Sequence, residues 1–465
     1  MPVPSRARVL KSLSWSLPWL LLVCQVQSAE PSPATAVAVD GIAADGPGCA
    51  ITASRAGQVI LAASAGLADL DRGRPIDGDT LFYAASVSKQ FTALAVAQLA
   101  AAGTIELDGD VRQYIPELPG QWGTITPRML MHHTSGLPDW LMLAAMAGVS
   151  DWGVLDQAGA VGLVTARPDT AFAPGTRFEY SNGGYLLLAE IVARTTGLPF
   201  AEYVRRHIFE PLGMRDAFFL AGQRPTGAAV AHGYVPAKGG FQVRDTYPLI
   251  GGSGGLMLTA KDLARYEYDI EVGHRVWTDA VREIMWTPAQ LSDGGFAGVP
   301  DGLGYAGGLR VGERNGQRVI EHAGAAEAFR LQYLRLPEHR LGVAVLCNRG
   351  DQDPIPRADA IAAALVPAGL WTEPAVAAVH PGEYVDAALG LRYRVPAPEG
   401  DRLAVRIFSA LTPADGTMQM FRRDSSGGFI AEDPVRPIRL RIPPGGATLE
   451  VSINSSTLSL QRSPH

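Results

Sequence analysis

Lysine is scarce in this chain of 465 residues. Its only lysines are Lys11, Lys89, Lys238 and Lys261, so nearly all of its 40 basic side chains are arginine. Cysteine is scarcer still, with three residues, and that excludes a disulfide-dense scaffold. Cys24 lies in the leader, leaving Cys49 and Cys347 in β-patterned segments. One bridge in an oxidising compartment and two buried thiols are both open, and neither cysteine stands at metal-ligand spacing from a histidine. Blocks of like charge are missing, and the net charge is −6 with a pI near 5.9, so the chain has no electrostatic footprint for nucleic acid. The apolar run from about Leu13 to Val26 is shorter than the roughly 20 residues of a membrane span. It follows Arg6, Arg8 and Lys11 and ends at small residues around Ser28-Ala29, the pattern of a cleaved export signal. Residues 1–29 are expected to be that signal, and the mature protein to be periplasmic or secreted, with no stable membrane span.

What is present suits a large core, since 47% of the residues are hydrophobic. "GCAITASRAGQVILAASAGLADL" reads as two strands turned at Ala56-Gly57. Phe91 to Leu99 is apolar on almost every side, which suits a helix in the middle of a domain. A second helix is expected from Gly184 to about Thr196, stopping at Gly197, and a third after an N-cap at Thr259. From Gly304 the pattern returns to strands ("GYAGGLRVG", "FRLQYLRLP", "RLGVAVLCN"). Strands at both ends with helices between them imply an α+β domain whose single sheet is built from both chain ends. A linker is expected over Val366 to Pro381. Beyond it, short alternating runs from "GLRYRVPA" to "TLSLQR" imply a small antiparallel barrel or sandwich, with Arg392, Arg394, Arg406, Arg439 and Arg441 on its solvated face. The expected division is residues 30–370 for the first domain and 371–465 for linker and β domain.

Within "YAASVSKQFTALAVAQL", Lys89 stands three residues after Ser86. On one helix face the hydroxyl and the amine are neighbours. Burial can bring a lysine from about 10.4 toward neutrality, whereas arginine stays charged above about 12. Only the amine can therefore take the proton of an attacking serine at this position. The free N–H groups at the helix start can stabilise an oxyanion beside it.

Ser-x-x-Lys in this setting resembles the motif of serine β-lactamases and penicillin-binding proteins. Tyr180-Ser181-Asn182 in "FEYSNGGYLLLAEIV" is similar to the Y-x-N element of class C β-lactamases and their DD-peptidase and esterase relatives. His322-Ala323-Gly324 in "IEHAGAAEAF" stands where the family has K-T-G or H-x-G. "LMHHTSGLPDW", "FEPLGMRDAFF" and "GGSGGLMLTAKDLARY" fall in the family's order, so the resemblance covers about residues 40 to 355.

The resemblance implies a β-lactamase-like fold and a serine acyl-hydrolase without metal or organic cofactor. Ser86 would be the nucleophile, Lys89 its proton partner, and Tyr180 the shuttle to the leaving group, with Lys89 favouring the ionised phenol. Asn182 would hold the substrate amide and Lys89, while His322 and Gly324 would start the strand lining the site. The backbone N–H of Ala325 would join that of Ser86 as the oxyanion hole. Two departures stand out. His322 removes the permanent cation that receives a β-lactam carboxylate, and Ala328 replaces a glycine often found before the phenylalanine. No class A-type glutamate base is identifiable, which leaves deacylation to Tyr180 and Lys89. The substrate is expected to be a small molecule or short peptide: D-amino-acid peptides, short esters or β-lactams. The alternative is a slow-acylating penicillin or muropeptide sensor. The sequence does not speak to oligomeric state.

Three competing patterns are weaker. Gly251-Gly252-Ser253-Gly254-Gly255 fits the G-x-S-x-G nucleophile elbow, but "LMLT" separates Ser253 from the next helix start. Gly302-x-Gly304-x-x-Gly307 matches a dinucleotide string, but a strand follows it rather than a helix. His132 and His133 are adjacent, without H-E-x-x-H, and suit a loop-fixing role at His133 better than a metal.

Overall fold

Ala56 and Gly57 both have positive φ (50° and 78°), as a two-residue hairpin turn between right-twisted strands requires. They join Cys49–Arg55 to Gln58–Ala65. In this computed structural model the described residues are 32–463, apart from 150–153, 228, 246, 296, 298–301, 315, 372–378, 401, 411–412, 424–427, 432–437, 443–445 and 454–455. The expected export signal at 1–29 lies outside them, as does the middle of the expected linker, 372–378.

The hairpin forms one edge of a seven-stranded sheet. Its order is Gly304–Tyr305, Arg310–Arg314, Gln317–Ala325, Arg330–Leu336, Leu341–Cys347, Cys49–Arg55, Gln58–Ala65, so strands from both chain ends meet as antiparallel neighbours. Cys49 pairs with Cys347 in that register, and a disulfide joins them. "LGVAVLC" is a continuous apolar run because both faces are covered. Leu341, Val343, Val345 and Cys347 enter a cluster with Ala38 and Ile361 from the helices Pro33–Val39 and Pro354–Leu365. Ala344 and Leu346 face the main core on the other side.

That main core surrounds the helix Ser88–Ala101, where every residue from Ser88 to Ala97 is buried. An all-round apolar surface has no other stable place. The helix Asn182–Thr196 packs beside it and ends at Gly197 in the left-handed region (φ 69°). It starts two residues before the expected point because the Ser181 hydroxyl accepts from Gly183 N–H. Thr259 opens the helix Ala260–Tyr268 through a reciprocal capping box with Asp262, as the T-x-x-D spacing allows.

After Trp371, which is 4% exposed and packs in the cluster behind the sheet, the chain forms a closed antiparallel barrel of eight strands, from Gly382–Asp386 to Ser456–Arg462. The choice between barrel and sandwich resolves to the barrel. Tyr384, Val405, Phe421, Leu449 and Leu460 fill its interior. The guanidinium of Arg392 lies outside it over the Phe408 ring, 4.6 Å from the centroid. Among the described residues no helix is long and apolar enough to cross a membrane.

The bridge spans a sequence separation of 298 residues, so it constrains the unfolded chain strongly. Replacing both cysteines with alanine is expected to cost about 2–4 kcal/mol, read in urea melts. Alkylation of the denatured, unreduced mature chain is expected to modify neither Cys49 nor Cys347; labelling of both would reject the bridge.

Candidate active site

Ser86 sits in a one-turn 3-10 segment, Ala85–Val87, that leads into the buried helix. Ala85 has φ 48°, a left-handed conformation that costs a non-glycine residue about 1–3 kcal/mol and is tolerated where the surroundings over-determine it. The half-buried Ser86 is thereby offered at the mouth of the helix. Lys89 is 0% exposed. Its Nζ lies 3.1 Å from Ser86 Oγ, 2.7 Å from Asn182 Oδ1 and 2.8 Å from the Ser253 carbonyl oxygen. Burial draws Lys89 down to about 7, against the opposing pull of the Asp139 charge. In the neutral amine, two hydrogens serve the two fixed carbonyl acceptors, and the lone pair is left for Ser86 O–H. The geometry therefore selects the direction of proton transfer.

Asn182 presents Oδ1 to Lys89 because its other end is taken: Nδ2 donates to Asp139 Oδ2 at 2.7 Å, and its backbone N–H reaches the same oxygen at 3.2 Å. Tyr180 lies beside them, with Lys89 Nζ 4.8 Å from its ring centroid, and hydrogen-bonds Ser86. Burial pushes the Tyr180 phenol well above its ordinary value; the Ser86 hydrogen bond opposes this and the Asp139 charge adds to it. Desolvation therefore favours the neutral phenol, the opposite of the pull expected from Lys89.

His133, with φ 59°, clamps the backbone on both sides of Tyr180. Its carbonyl accepts from Glu179 N–H at 2.9 Å, and its Nδ1 accepts from Ser181 N–H at 3.1 Å. Its ring lies 4.3 Å from that of Tyr180. The loop-fixing role expected of His133 falls on the Tyr180 segment, where its carbonyl and Nδ1 make their hydrogen bonds.

His322 is buried on the strand Gln317–Ala325. Its Nδ1 lies 2.6 Å from the Ala323 carbonyl and therefore carries the hydrogen, so Nε2 accepts from Tyr305 O–H at 2.9 Å. Burial and then the Lys89 charge hold His322 down at about 3, leaving it a neutral imidazole. Gly324 packs against the turn that carries Ser86: a Cβ there would stand 2.4 Å from the Ala84 carbonyl oxygen. Ala325 ends the strand and is exposed.

The competing patterns separate in space or dissolve. The Ser253 hydroxyl accepts from Trp140 Nε1 at 3.2 Å, and what Ser253 gives the site is its carbonyl. After Gly304–Tyr305 comes a turn and the strand Arg310–Arg314, with no helix for a dinucleotide. Gly308 of that turn (φ 70°) lies against the helix, where a Cβ would come within 2.5 Å of the Lys89–Gln90 peptide. Among the described residues no group of three His, Cys, Asp or Glu gathers as a metal site would require. Tyr247 of a separate cavity lined by Arg72, Arg74, Arg224, His232 and Asp245 stacks on Tyr83 at 4.3 Å.

Sequence reasoning missed Asp139, Tyr305 and the Ser253 carbonyl. For Asp139 a signal existed, since an acid before the run "WLMLAAM" marks a helix start, and Asp139 Oδ1 does accept from Leu141 N–H at 2.8 Å. That signal gives no hint of its second oxygen.

With Lys89 near 7, kcat/KM for an activated ester is expected to rise with pH through about 7, because below it the amine has no lone pair. A profile flat between about pH 5 and 9 would reject this. Ser253→Ala is expected to keep at least about half of the wild-type rate, since the carbonyl survives. Loss of activity there would restore the elbow.

The Beta-lactamase family profile matches residues 35–367. The D-aminopeptidase of Gluconobacter oxydans (strain 621H) is 30% identical over 367 residues, which cover 77% of this chain and 67% of that protein. The chain thus spans about two thirds of that relative's length. An octameric penicillin-binding protein homologue from Pyrococcus abyssi shares the fold with a TM-score of 0.64 at 23% identity, over 89% of this chain and 96% of the other. The D-amino acid amidase of Ochrobactrum anthropi SV3 does so with a TM-score of 0.60 at 24% identity, over 71% and 97%. On the profile match and the aminopeptidase likeness, this chain belongs to the Beta-lactamase family and is a serine hydrolase.

Proposed function

We propose that the protein is an exported hydrolase that forms an acyl-enzyme on Ser86 and acts on small amides and esters, with D-amino-acid amides and short D-peptides as its main class. The observation that carries this reading is the fully buried Lys89 amine held 3.1 Å from Ser86 Oγ by two carbonyl acceptors. Lys89 takes the Ser86 proton as Oγ bonds to the substrate carbonyl carbon. The N–H groups of Ser86 and Ala325 hold the resulting oxyanion, each such donor contributing about 3 kcal/mol in comparable sites. Tyr180, kept protonated by burial, gives its proton to the leaving nitrogen or oxygen as that bond breaks, and recovers one from Lys89. Water then attacks the ester with its proton going to the same pair, and Ser86 is released.

The preference for D-amino-acid substrates rests on the names of the relatives, a D-aminopeptidase and a D-amino acid amidase. The neutral His322 supports weak β-lactam turnover, since nothing at that position offers a carboxylate a charge. Export is supported by the Cys49–Cys347 bridge, which persists in an oxidising compartment.

The test uses the mature chain, a fluorophosphonate, a fluorescent penicillin, and a panel of D- and L-amino-acid amides, p-nitrophenyl esters and cephalosporins. Ser86→Ala is expected to lose at least about a thousandfold in ester and D-amide turnover with its circular dichroism unchanged. Undiminished turnover in that variant rejects Ser86 as nucleophile. Stable penicillin label on Ser86 without turnover of any substrate points to the sensor.

A further inference from the structure

Resting on the reading that Ser86 and Lys89 carry the reaction, we infer that Asp139 is a positioning residue for it, acting through the Asn182 carboxamide on the Lys89 amine.

Both Asp139 oxygens are committed. Oδ1 accepts from Leu141 N–H at 2.8 Å and from Met142 N–H at 3.4 Å, which makes it the N-cap of the helix Trp140–Met146. Oδ2 accepts from Asn182 N–H at 3.2 Å and from Asn182 Nδ2 at 2.7 Å. An amide side chain has two nearly isosteric ends, and without a partner that only accepts, nothing decides which end faces Lys89. The carboxylate decides it. With Nδ2 bound to Asp139, Oδ1 must point at Lys89 Nζ, where it lies 2.7 Å away. Reversal would set an N–H against the amine and remove one of the two acceptors that aim the lone pair at Ser86.

The groups facing Lys89 from the packed elements are Asn182, Asp139, Tyr180, Tyr185, His133 and His322. The two imidazoles are held neutral, each in part by Lys89 itself, and burial keeps both phenols protonated. The carboxylate is thus the anion of this set, and it favours the ammonium form of Lys89.

Asp139→Asn separates capping from positioning. Asparagine caps a helix as well as aspartate does, so a purely structural Asp139 predicts wild-type behaviour. If its amide oxygen keeps the cap, however, its NH2 faces the two Asn182 donors, and Asn182 turns to relieve the clash. The expected result is a kcat lower by about ten- to a hundredfold with KM changed less than about threefold. The acid limb of kcat/KM should also move to lower pH, because the charge that favoured the ammonium is gone. Asp139→Ser, which also caps, is expected to behave alike and serves if the first variant does not fold. A kcat within about threefold of wild type, or an acid limb that stays in place, overturns the assignment. Wild-type enzyme assayed alongside keeps the two ideas apart: if it is not labelled at Ser86, the reading of the site fails, and if it is labelled and active while the variant matches it, only the role of Asp139 falls.

Discussion

The site depends on an amine kept out of water. Among the described residues Lys89 is the one buried lysine, and its neighbours remove solvent or supply an acceptor. The helix is buried on all sides from Ser88 to Ala97, which makes the ammonium costly and brings the amine near neutrality. Burial alone would leave an undirected base. Direction comes from the Asn182 Oδ1 and Ser253 carbonyl acceptors, which occupy two hydrogens and turn the remaining orbital to Ser86. Arginine could not be tuned in this way, so a chain that otherwise prefers arginine has lysine here.

A single loop, from His133 to Asp139, shapes the Tyr180-Ser181-Asn182 segment. His133 binds the backbone on either side of Tyr180, the Pro138 carbonyl accepts from Ser181 Oγ at 3.1 Å, and Asp139 holds Asn182. Ser181 and Asn182 thus make four hydrogen bonds to that loop, and the Tyr180 ring lies against His133. The same loop caps the next helix through Asp139, which anchors the template in the fold.

Much of this was legible because it is written in residue types at fixed spacing. Ser86 with Lys89, Tyr180 with Asn182, and His322 with Gly324 are side-chain patterns, and the structure brings these six residues onto adjoining elements. The hairpin turn and the Thr259 cap were readable for the same reason. What could not be read is carried by atoms common to all residues, or by geometry without a composition signal. The Ser253 carbonyl is backbone. The left-handed φ of Ala85 is imposed on a residue that does not advertise it. In the barrel, the strands Gly382–Asp386 and Phe429–Ala431 escaped because one is largely polar and the other is three residues long. The desolvation that favours a neutral Tyr180 comes from packing and has no sequence signal.

The positive charge of the site is limited by its own packing. A protonated His322 would depress Lys89 further, and a protonated Lys89 already depresses His322 and His133. All three are buried, and of the three the amine is the one that burial leaves easiest to protonate. A permanent cation at position 322 would depress Lys89 further, as a protonated His322 would. With imidazole there, recognition passes from charge to hydrogen bonding, through a Tyr305 hydroxyl and an imidazole already committed to each other at 2.9 Å. Such a wall carries no fixed charge. The departure from the class C pattern at His322 thus removes a fixed charge from the site through the same burial that makes Lys89 a base.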